Sequence, residues 1–207
     1  MQREYPHLPF ARYADDAIVH CKTEAQAKEV LAAIDARMRQ CKLELHPDKT
    51  TVVYCQDANR RATYPRTKFN FLGYEFRQRK AKNRTGQYFA SFSPAISVKA
   101  GRAIRDDIRR WKLHLRSSQA LDELAHQPNP TISGWIQYYG RFYRSVLYRT
   151  LQPLDYALAR WACRKYKKLR RRIRQASRWI ARISRRDPQL FAHWPLTPRR
   201  GSMMGAV

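Results

Sequence analysis

The chain has 207 residues and a formal net charge of +26, from 42 Lys and Arg against 16 Asp and Glu. Hydrophobic residues make up 43% of it, which excludes wholesale disorder and allows a packed core. A compact protein this basic repels itself unless a polyanion neutralises it, so nucleic acid is the favoured partner, ahead of an anionic membrane. The charge is concentrated in residues 91–207, which hold 25 basic and 6 acidic residues, against 17 and 10 in residues 1–90.

The cysteines and the hydropathy indicate the compartment. The four cysteines are scattered and form neither a CxxC pair nor a zinc-type cluster with histidine, so no disulfide framework is predicted. No apolar run is long enough to span a bilayer, and the N-terminal residues do not form a signal peptide. We therefore expect a cytoplasmic protein with no membrane partner.

Residues 1–93 alternate between strand and helix patterns. Residues 10–20 predict a strand, a tight turn and a second strand, and residues 23–41 predict a helix that opens with a capping box. Short strands are predicted at residues 43–45 and 51–55.

A further strand is predicted over residues 69–77, and it is expected to pair with residues 87–92 across a basic turn. The first part of the chain is therefore predicted to be an α+β unit.

The apolar spacing becomes helical after Ser93-Pro94. Helices are predicted over residues 96–115, 121–125 and 132–148, and a long basic helix is predicted to start near Leu151 with Pro153 in its first turn. We therefore predict two domains, an α+β domain over residues 1–93 and an all-helical domain with a basic tail over residues 94–207.

The basic helix combines one apolar stripe with a positive surface. Between Arg160 and Arg186, 13 of 27 residues are Lys or Arg and none is acidic. The stripe follows steps of three and four residues through Ala162, Tyr166, Leu169, Ile173, Ala176, Ile180 and Ile183. A solvated charged surface is the simpler explanation of such a run, but no acidic side chain is available for pairing within it. The pattern favours a surface that faces a polyanion.

Two adjacent acidic residues, Asp15 and Asp16, lie between the first two predicted strands. At a hairpin tip both carboxylates can approach one site, where they repel each other unless a cation lies between them. Oxygen ligands suit Mg²⁺, and two such ions can carry out phosphoryl transfer. On spacing alone, an exposed turn without a function remains the simpler interpretation.

Four short sequence blocks follow one another along the chain. They are Arg12-Tyr13-Ala14-Asp15-Asp16, LELHPDKT at residues 43–50, FNFLGYEF at residues 69–76 and NPTISGWIQYYGRFY at residues 129–143. In this order they resemble the group II intron reverse transcriptase and maturase family, and the first block resembles the YxDD turn of that family. The resemblance implies an α+β fold in which part of a reverse-transcriptase palm precedes an all-helical thumb and maturase domain. Residues 190–194, LFAHW, are also similar to such tails.

The resemblance implies a role for each matched residue. Asp15 and Asp16 would be the catalytic and metal-binding carboxylates of a two-metal Mg²⁺ site. Tyr13 and Ala14 would line the site near the primer end or the incoming nucleotide. Lys49 would lie near the triphosphate or assist proton transfer, although a lone lysine after a turn is more often simply solvated. Phe71, Leu72 and Gly73 would form the primer grip, the region that holds the primer end. Without the resemblance, the same run is simply a core strand.

The helical part is expected to bind RNA. The residues expected to contact phosphates are Arg141, Arg144, Lys167, Lys168, Arg170, Arg171 and Arg174. Trp135, Tyr138 and Tyr139 share one face of a predicted helix, and helix packing explains them at least as well as base stacking does.

The resemblance also raises the question of what precedes Tyr13. In the family, the fingers and a further metal-binding aspartate lie well upstream, and only 12 residues precede Tyr13 here. We expect the chain to be the C-terminal portion of such a protein, either a truncated reading frame or one part of a split protein completed in trans by an N-terminal half. We expect no DNA synthesis by the isolated chain.

Three functions follow from these expectations. The first is an RNA-directed DNA polymerase and maturase acting on group II intron RNA, an RNA template, a DNA primer and dNTPs. The alternative is an RNA-binding splicing cofactor without polymerase activity. The third is a general basic protein that coats RNA, which the ordered blocks argue against.

Overall fold

The computed structural model describes residues 4–196 of the chain. In that range it is an α+β protein, with two small antiparallel sheets followed by helices. The five strands are β1 (Phe10–Tyr13), β2 (Asp16–Val19), β3 (Lys68–Phe71), β4 (Tyr74–Lys82) and β5 (Tyr88–Ile96). The six α-helices are α1 (Glu24–Gln40), α2 (Val98–Arg110), α3 (Leu121–His126), α4 (Asn129–Tyr139), α5 (Arg144–Lys165) and α6 (Ile173–Arg186). None of these helices is long and apolar enough to cross a bilayer.

The first sheet is a two-stranded hairpin of β1 and β2, followed by α1, and both were predicted. Thr23 caps α1 by accepting a hydrogen bond from the Gln26 backbone N–H at 3.2 Å. The Gln26 side chain accepts from the backbone N–H of Lys22 at 2.8 Å, one residue earlier than in a standard capping box.

The second sheet has the order β3-β4-β5, and its last two strands pair from Tyr74 opposite Ile96 to Lys82 opposite Tyr88. A hairpin across the basic turn was predicted, but its partners were not: residues 88–92 pair with residues 78–82, and residues 74–77 pair with residues 93–96. The predicted continuous strand over residues 69–77 is wrong, because Leu72 and Gly73 form a turn that folds β3 back onto β4. The predicted strands at residues 43–45 and 51–55 are also absent from the described residues. Both segments are apolar, but a strand also needs a neighbour to pair with.

The helical region holds the core. Its eighteen buried hydrophobic residues form one cluster that runs from Ile96 to Trp194, with α5 at its centre. The strand β5 continues past Ser93-Pro94 to Ile96, so the chain changes from strand to helix at Ser97, which caps α2 through a hydrogen bond from the Ala100 N–H. The boundary between the two proposed domains remains a prediction.

Two predicted helices are divided differently. The predicted helix over residues 132–148 is two helices, because α4 ends at Gly140, where a Cβ would lie 2.3 Å from the Ile136 carbonyl oxygen. The next helix starts at Arg144 rather than near Leu151, so Pro153 lies inside it. The helix tolerates this proline because the flanking Leu151 and Leu154 are fixed in the core.

The basic segment over residues 160–186 is not one helix either. The chain leaves α5 at Tyr166, forms a short 3₁₀ turn and enters α6 at Ile173. Like charges one turn apart destabilise a helix, and the interruption falls in the densest run of Lys and Arg. The apolar stripe nevertheless docks on both sides of it, because Ala162, Ala176 and Ile180 are buried.

Candidate functional site

The paired carboxylates lie at the tip of the first hairpin. Tyr13 pairs with Asp16, so Ala14 and Asp15 form a two-residue turn. Ala14 has φ +51°, a left-handed conformation that costs an alanine roughly 1–2 kcal/mol. The Arg12 side chain offsets part of that cost by donating from Nε to the Ala14 carbonyl at 2.8 Å. The turn is therefore held in a conformation that its own residues do not favour.

The hairpin tip presents two carboxylates to solvent. Asp15 and Asp16 are exposed, neither belongs to the ion pairs of residues 4–196, and Tyr13 beside them is 63% exposed. Two free carboxylates fit the preference of Mg²⁺ for a few oxygen ligands completed by water or substrate phosphate. Within the described range, no group of three Asp, Glu, His or Cys side chains comes together. The hairpin therefore contributes two ligands at most to a metal centre.

Lys49 belongs to neither sheet. It is exposed in the turn over residues 47–49, where its backbone N–H bonds to the His46 carbonyl at 3.2 Å. Its predicted contact with the substrate stays a prediction.

The turn after Phe71 is docked on helix α4 instead of lying in a continuous strand. Leu72 and Gly73 both have positive φ, +49° and +77°, which is the pattern of a type I′ hairpin turn. The Tyr138 hydroxyl donates to the Leu72 carbonyl at 2.9 Å, and a Cβ on Gly73 would lie 2.6 Å from the Tyr139 hydroxyl oxygen. The predicted primer-grip residues therefore join the sheet to the helical region.

The aromatic face of α4 is used for packing. Tyr74 donates from its hydroxyl to the Tyr138 carbonyl, and burial, followed by the nearby Tyr138 and Tyr139, raises the pKa of Tyr74. Trp135 stacks on Trp111 with ring centroids 5.5 Å apart. These contacts agree with the helix-packing alternative for Trp135, Tyr138 and Tyr139.

The predicted phosphate-binding residues between α5 and α6 and in the first turn of α6 form one exposed basic surface. All five are exposed and belong to none of the ion pairs among residues 4–196: Lys167, Lys168, Arg170, Arg171 and Arg174. Arg171 has φ +63°, which turns the chain between the two helices. The interruption of the helix thus spreads these cations over a corner of the molecule.

Arg141 and Arg144 lie on a different surface, at the junction of α4 and α5. Both are exposed, and Arg144 donates from Nε to the Gly140 carbonyl at 2.9 Å. The seven predicted cations therefore form two groups.

A groove that the sequence did not predict lies beside that junction. Its volume is about 720 Å³, and it is lined by the end of the β4–β5 hairpin together with Phe142 and Tyr143. Arg79 lies over the Tyr143 ring at 5.3 Å, and burial, followed by the nearby Arg77, lowers the pKa of Arg79. No periodicity could have indicated this groove, because residues some sixty positions apart in the chain form its two walls.

A second unpredicted feature is a row of arginines on α6. Arg178, Arg182 and Arg185 line a shallow groove of about 540 Å³ with Leu169, Gln175 and Ala181. Their spacing of four and three residues puts them on one helix face, so this row could have been predicted from the sequence.

Two known families match the chain. Residues 1–76 match the reverse transcriptase (RNA-dependent DNA polymerase) family. The matched range includes the paired-carboxylate hairpin and the Leu72-Gly73 turn. Residues 102–179 match the maturase-specific domain of group II introns, from α2 into α6. No curated protein matches the chain.

Proposed function

Because the chain belongs to the group II intron reverse transcriptase and maturase family, we propose that it binds group II intron RNA through its helical region and assists splicing. The observation that carries this proposal is the basic surface formed by Lys167, Lys168, Arg170, Arg171 and Arg174 within the maturase match. Exposed cations with no acidic partner gain most from neutralising phosphates, because counterions are then released from the RNA.

The polymerase part of the proposal concerns the paired-carboxylate hairpin. Asp15 and Asp16 would hold Mg²⁺, which when bound supplies charge neutralisation for an RNA-templated transfer from a dNTP to a DNA primer. Tyr13 and Ala14 lie next to the carboxylates in the same hairpin, and we propose that they contact the primer end or the nucleotide. Lys49 and the Phe71-Leu72-Gly73 turn are proposed as further contacts to nucleotide and primer.

We further propose that a reverse-transcriptase segment outside residues 4–196, on a longer form of this chain or on a separate chain, completes this centre. Two observations support the idea: the hairpin brings two carboxylates and no third ligand from residues 4–196, and both of its strands are exposed from Phe10 to Ala17. A function limited to splicing, without polymerisation, is the second candidate. It is supported by the same hairpin, because two carboxylates without a third ligand from residues 4–196 form an incomplete metal centre.

The two candidates are separated by mutating the carboxylates. We expect that Asp15→Asn with Asp16→Asn abolishes primer extension on poly(rA)/oligo(dT) by the chain supplied with an N-terminal reverse-transcriptase half, while intron splicing is retained. The matched control is Asp48→Asn, an exposed carboxylate outside both sheets. Retained extension in the double variant would refute the metal role, and an equal loss of both activities would indicate damage to the fold.

The RNA-binding proposal is tested by salt. The logarithm of the affinity for intron RNA should fall linearly with the logarithm of the salt concentration. Replacing Arg170, Arg171 and Arg174 by Gln should lower that slope by about one for each lost phosphate contact.

A matched triple variant replaces Arg39, Arg109 and Arg110, each of which is paired with an aspartate on its own helix. Because these arginines already have anionic partners, replacing them should change the salt slope less than replacing Arg170, Arg171 and Arg174 does. Equal slopes in the two variants would refute the assignment of the basic surface.

A further inference from the structure

The groove between the β4–β5 hairpin and the α4–α5 junction has two aromatic walls. One wall is the sheet face that carries Phe89, Ser91 and Ser93, which alternate along β5 and therefore point to the same side. The other wall is Phe142 and Tyr143. Phe89 is 45% exposed and Phe142 is 41% exposed, so both rings offer free apolar surface to a ligand.

The mouth of the groove is positively charged. Lys82 and Arg84 line it at the hairpin end, and no acidic residue is among its lining residues. Lys82 lies 5.7 Å from the ring of Tyr88, which is 69% exposed. The groove therefore offers apolar ring surface at its walls and cations at its rim.

The Tyr143 wall is fixed in position before any ligand arrives. Tyr143 has φ +45°, an unfavourable conformation for a bulky residue. Its hydroxyl donates to the Lys80 carbonyl, and the Arg79 guanidinium lies over its ring. A wall that is already ordered loses little entropy when a ligand binds.

We propose that this groove binds unpaired nucleotides of RNA, with bases stacked on Phe89 and Phe142 and phosphates held by Lys82 and Arg84. Cationic grooves with exposed aromatic rings bind single strands in this way, because every base has a face to stack while the phosphates follow the cations. A duplex keeps its base faces covered, so the groove selects single-stranded segments. The volume of about 720 Å³ lies within the range of ligand pockets. The proposal rests on the proposed RNA-binding function and adds a separate site to it.

Photocrosslinking tests the position of the bases. A single-stranded oligo(U) that carries 5-iodouridine is bound to the full chain, irradiated and mapped by mass spectrometry. Crosslinks at Phe89, Phe142 or Tyr143 are expected. Crosslinks confined to residues 160–186 would overturn the groove proposal and leave the proposed function intact, whereas failure of every RNA to bind would overturn both.

Affinity measurements test stacking. Phe89→Ala and Phe142→Ala should each weaken binding of single-stranded oligo(U) by about fivefold or more, with binding of an RNA duplex unchanged. Tyr156→Ala is the matched control, because Tyr156 is a 58% exposed aromatic on α5 outside the groove. Equal losses for single strand and duplex would overturn the proposal.

A conservative variant guards against a folding defect. Phe89→Trp keeps a stacking face and should keep single-strand affinity, with the circular dichroism spectrum unchanged. Loss of affinity in the folded Phe89→Trp chain would contradict stacking. An effect of Phe89→Ala on self-association, and not on RNA binding, would assign the groove to a second copy of the chain and overturn the RNA proposal.

Discussion

The strand-containing first region and the helical region differ in how many hydrophobic residues they bury. Among the described residues before Ser93, only Leu8 and Val30 are buried hydrophobics, and the hairpin that carries Asp15 and Asp16 is exposed along both strands up to Ala17. From Ile96 onward, eighteen buried hydrophobics form one cluster. Both regions match known families, yet only the second has a core of its own.

The difference indicates where the stability of the chain resides. Burial of apolar surface is the main favourable term in folding, and a two-stranded hairpin alone is marginal in water. The helical region should therefore be stable without residues 4–92, which are the palm segment. The palm segment should gain order from whatever covers its exposed strands, and long exposed edges also invite aggregation.

The largest expected effect comes from Trp161→Ala in the helical core. Trp161 is fully buried, donates from Nε1 to the Arg116 carbonyl at 3.1 Å and packs against Tyr166 and Trp179. Truncating a buried Trp costs roughly 3–5 kcal/mol, so the free energy of unfolding from urea titration should fall by about that much.

Two variants give the matching contrast. Tyr156→Ala, on the exposed side of the same helix, should change the free energy of unfolding by less than about 0.5 kcal/mol. Val30→Ala, in the palm segment, should leave the unfolding transition of the helical region unchanged. A shift of that transition by Val30→Ala as large as the shift by Trp161→Ala would show that the two regions fold as one unit.

The next effect concerns the segment that follows α6. Asn129 donates from Nδ2 to the Leu190 carbonyl at 2.9 Å and accepts from the Ala192 N–H at 3.0 Å. These two bonds hold Phe191 in the core, where it is fully buried. Asn129→Ala leaves both backbone groups without this partner and should lower the free energy of unfolding by about 2 kcal/mol. Unchanged stability would mean that the segment is held by its aromatic packing alone.

A smaller effect is expected at the joint between the regions. Gly73→Ala puts a Cβ at a left-handed φ, which costs roughly 1–2 kcal/mol, and near the Tyr139 hydroxyl. Adding Tyr139→Phe removes the hydroxyl oxygen that crowds the new Cβ. The second substitution should restore the stability lost through that contact, but not the stability lost through the left-handed backbone conformation. A double-mutant cycle in urea measures the two parts. Additive losses would show that the ring oxygen does not oppose the new Cβ.

Much of this comparison was visible in the sequence, for physical reasons. Short-range signals predicted the β1–β2 hairpin, α1 and a second hairpin across the basic turn, because turn residues, caps and apolar spacing act over a few residues. They did not predict which residues pair in the second hairpin. The family of the chain was also predicted, since the matched blocks are local. The stripe of Ala162, Ala176 and Ile180 was predicted as well, although the chain breaks the helix between them.

What the sequence missed depends on contacts between distant residues. Residues 69–77 look like one strand, but Leu72 and Gly73 turn the chain, and the Tyr138 hydroxyl on α4 donates to the Leu72 carbonyl of that turn. Residues 132–148 look like one helix, and the bond from Tyr143 to the Lys80 carbonyl belongs to the turn that divides it. The proposed roles of Asp15 and Asp16 came from resemblance, and the structure adds that both carboxylates are exposed and free of ion pairs within residues 4–196.

The smallest expected effect is a pH dependence inside the helical region. Burial, followed by the nearby charges of Arg160 and Arg164, lowers the pKa of His114 below its ordinary value of 6.5. The unfolded chain therefore binds this proton more readily, so His114 disfavours the folded state progressively as the pH falls below about 6.5. His114→Gln should flatten that part of the stability curve, and because His114 is partly exposed the difference is small. Urea titrations of both chains at pH 7.5 and 5.5 provide the measurement. A wild-type chain that gains stability on acidification relative to His114→Gln would contradict it. Arg160 and Arg164 act on His114 because α5 packs against the turn Leu113–Leu115, which contains His114. A gain in stability would therefore mean that these two cations do not face His114 in the folded chain.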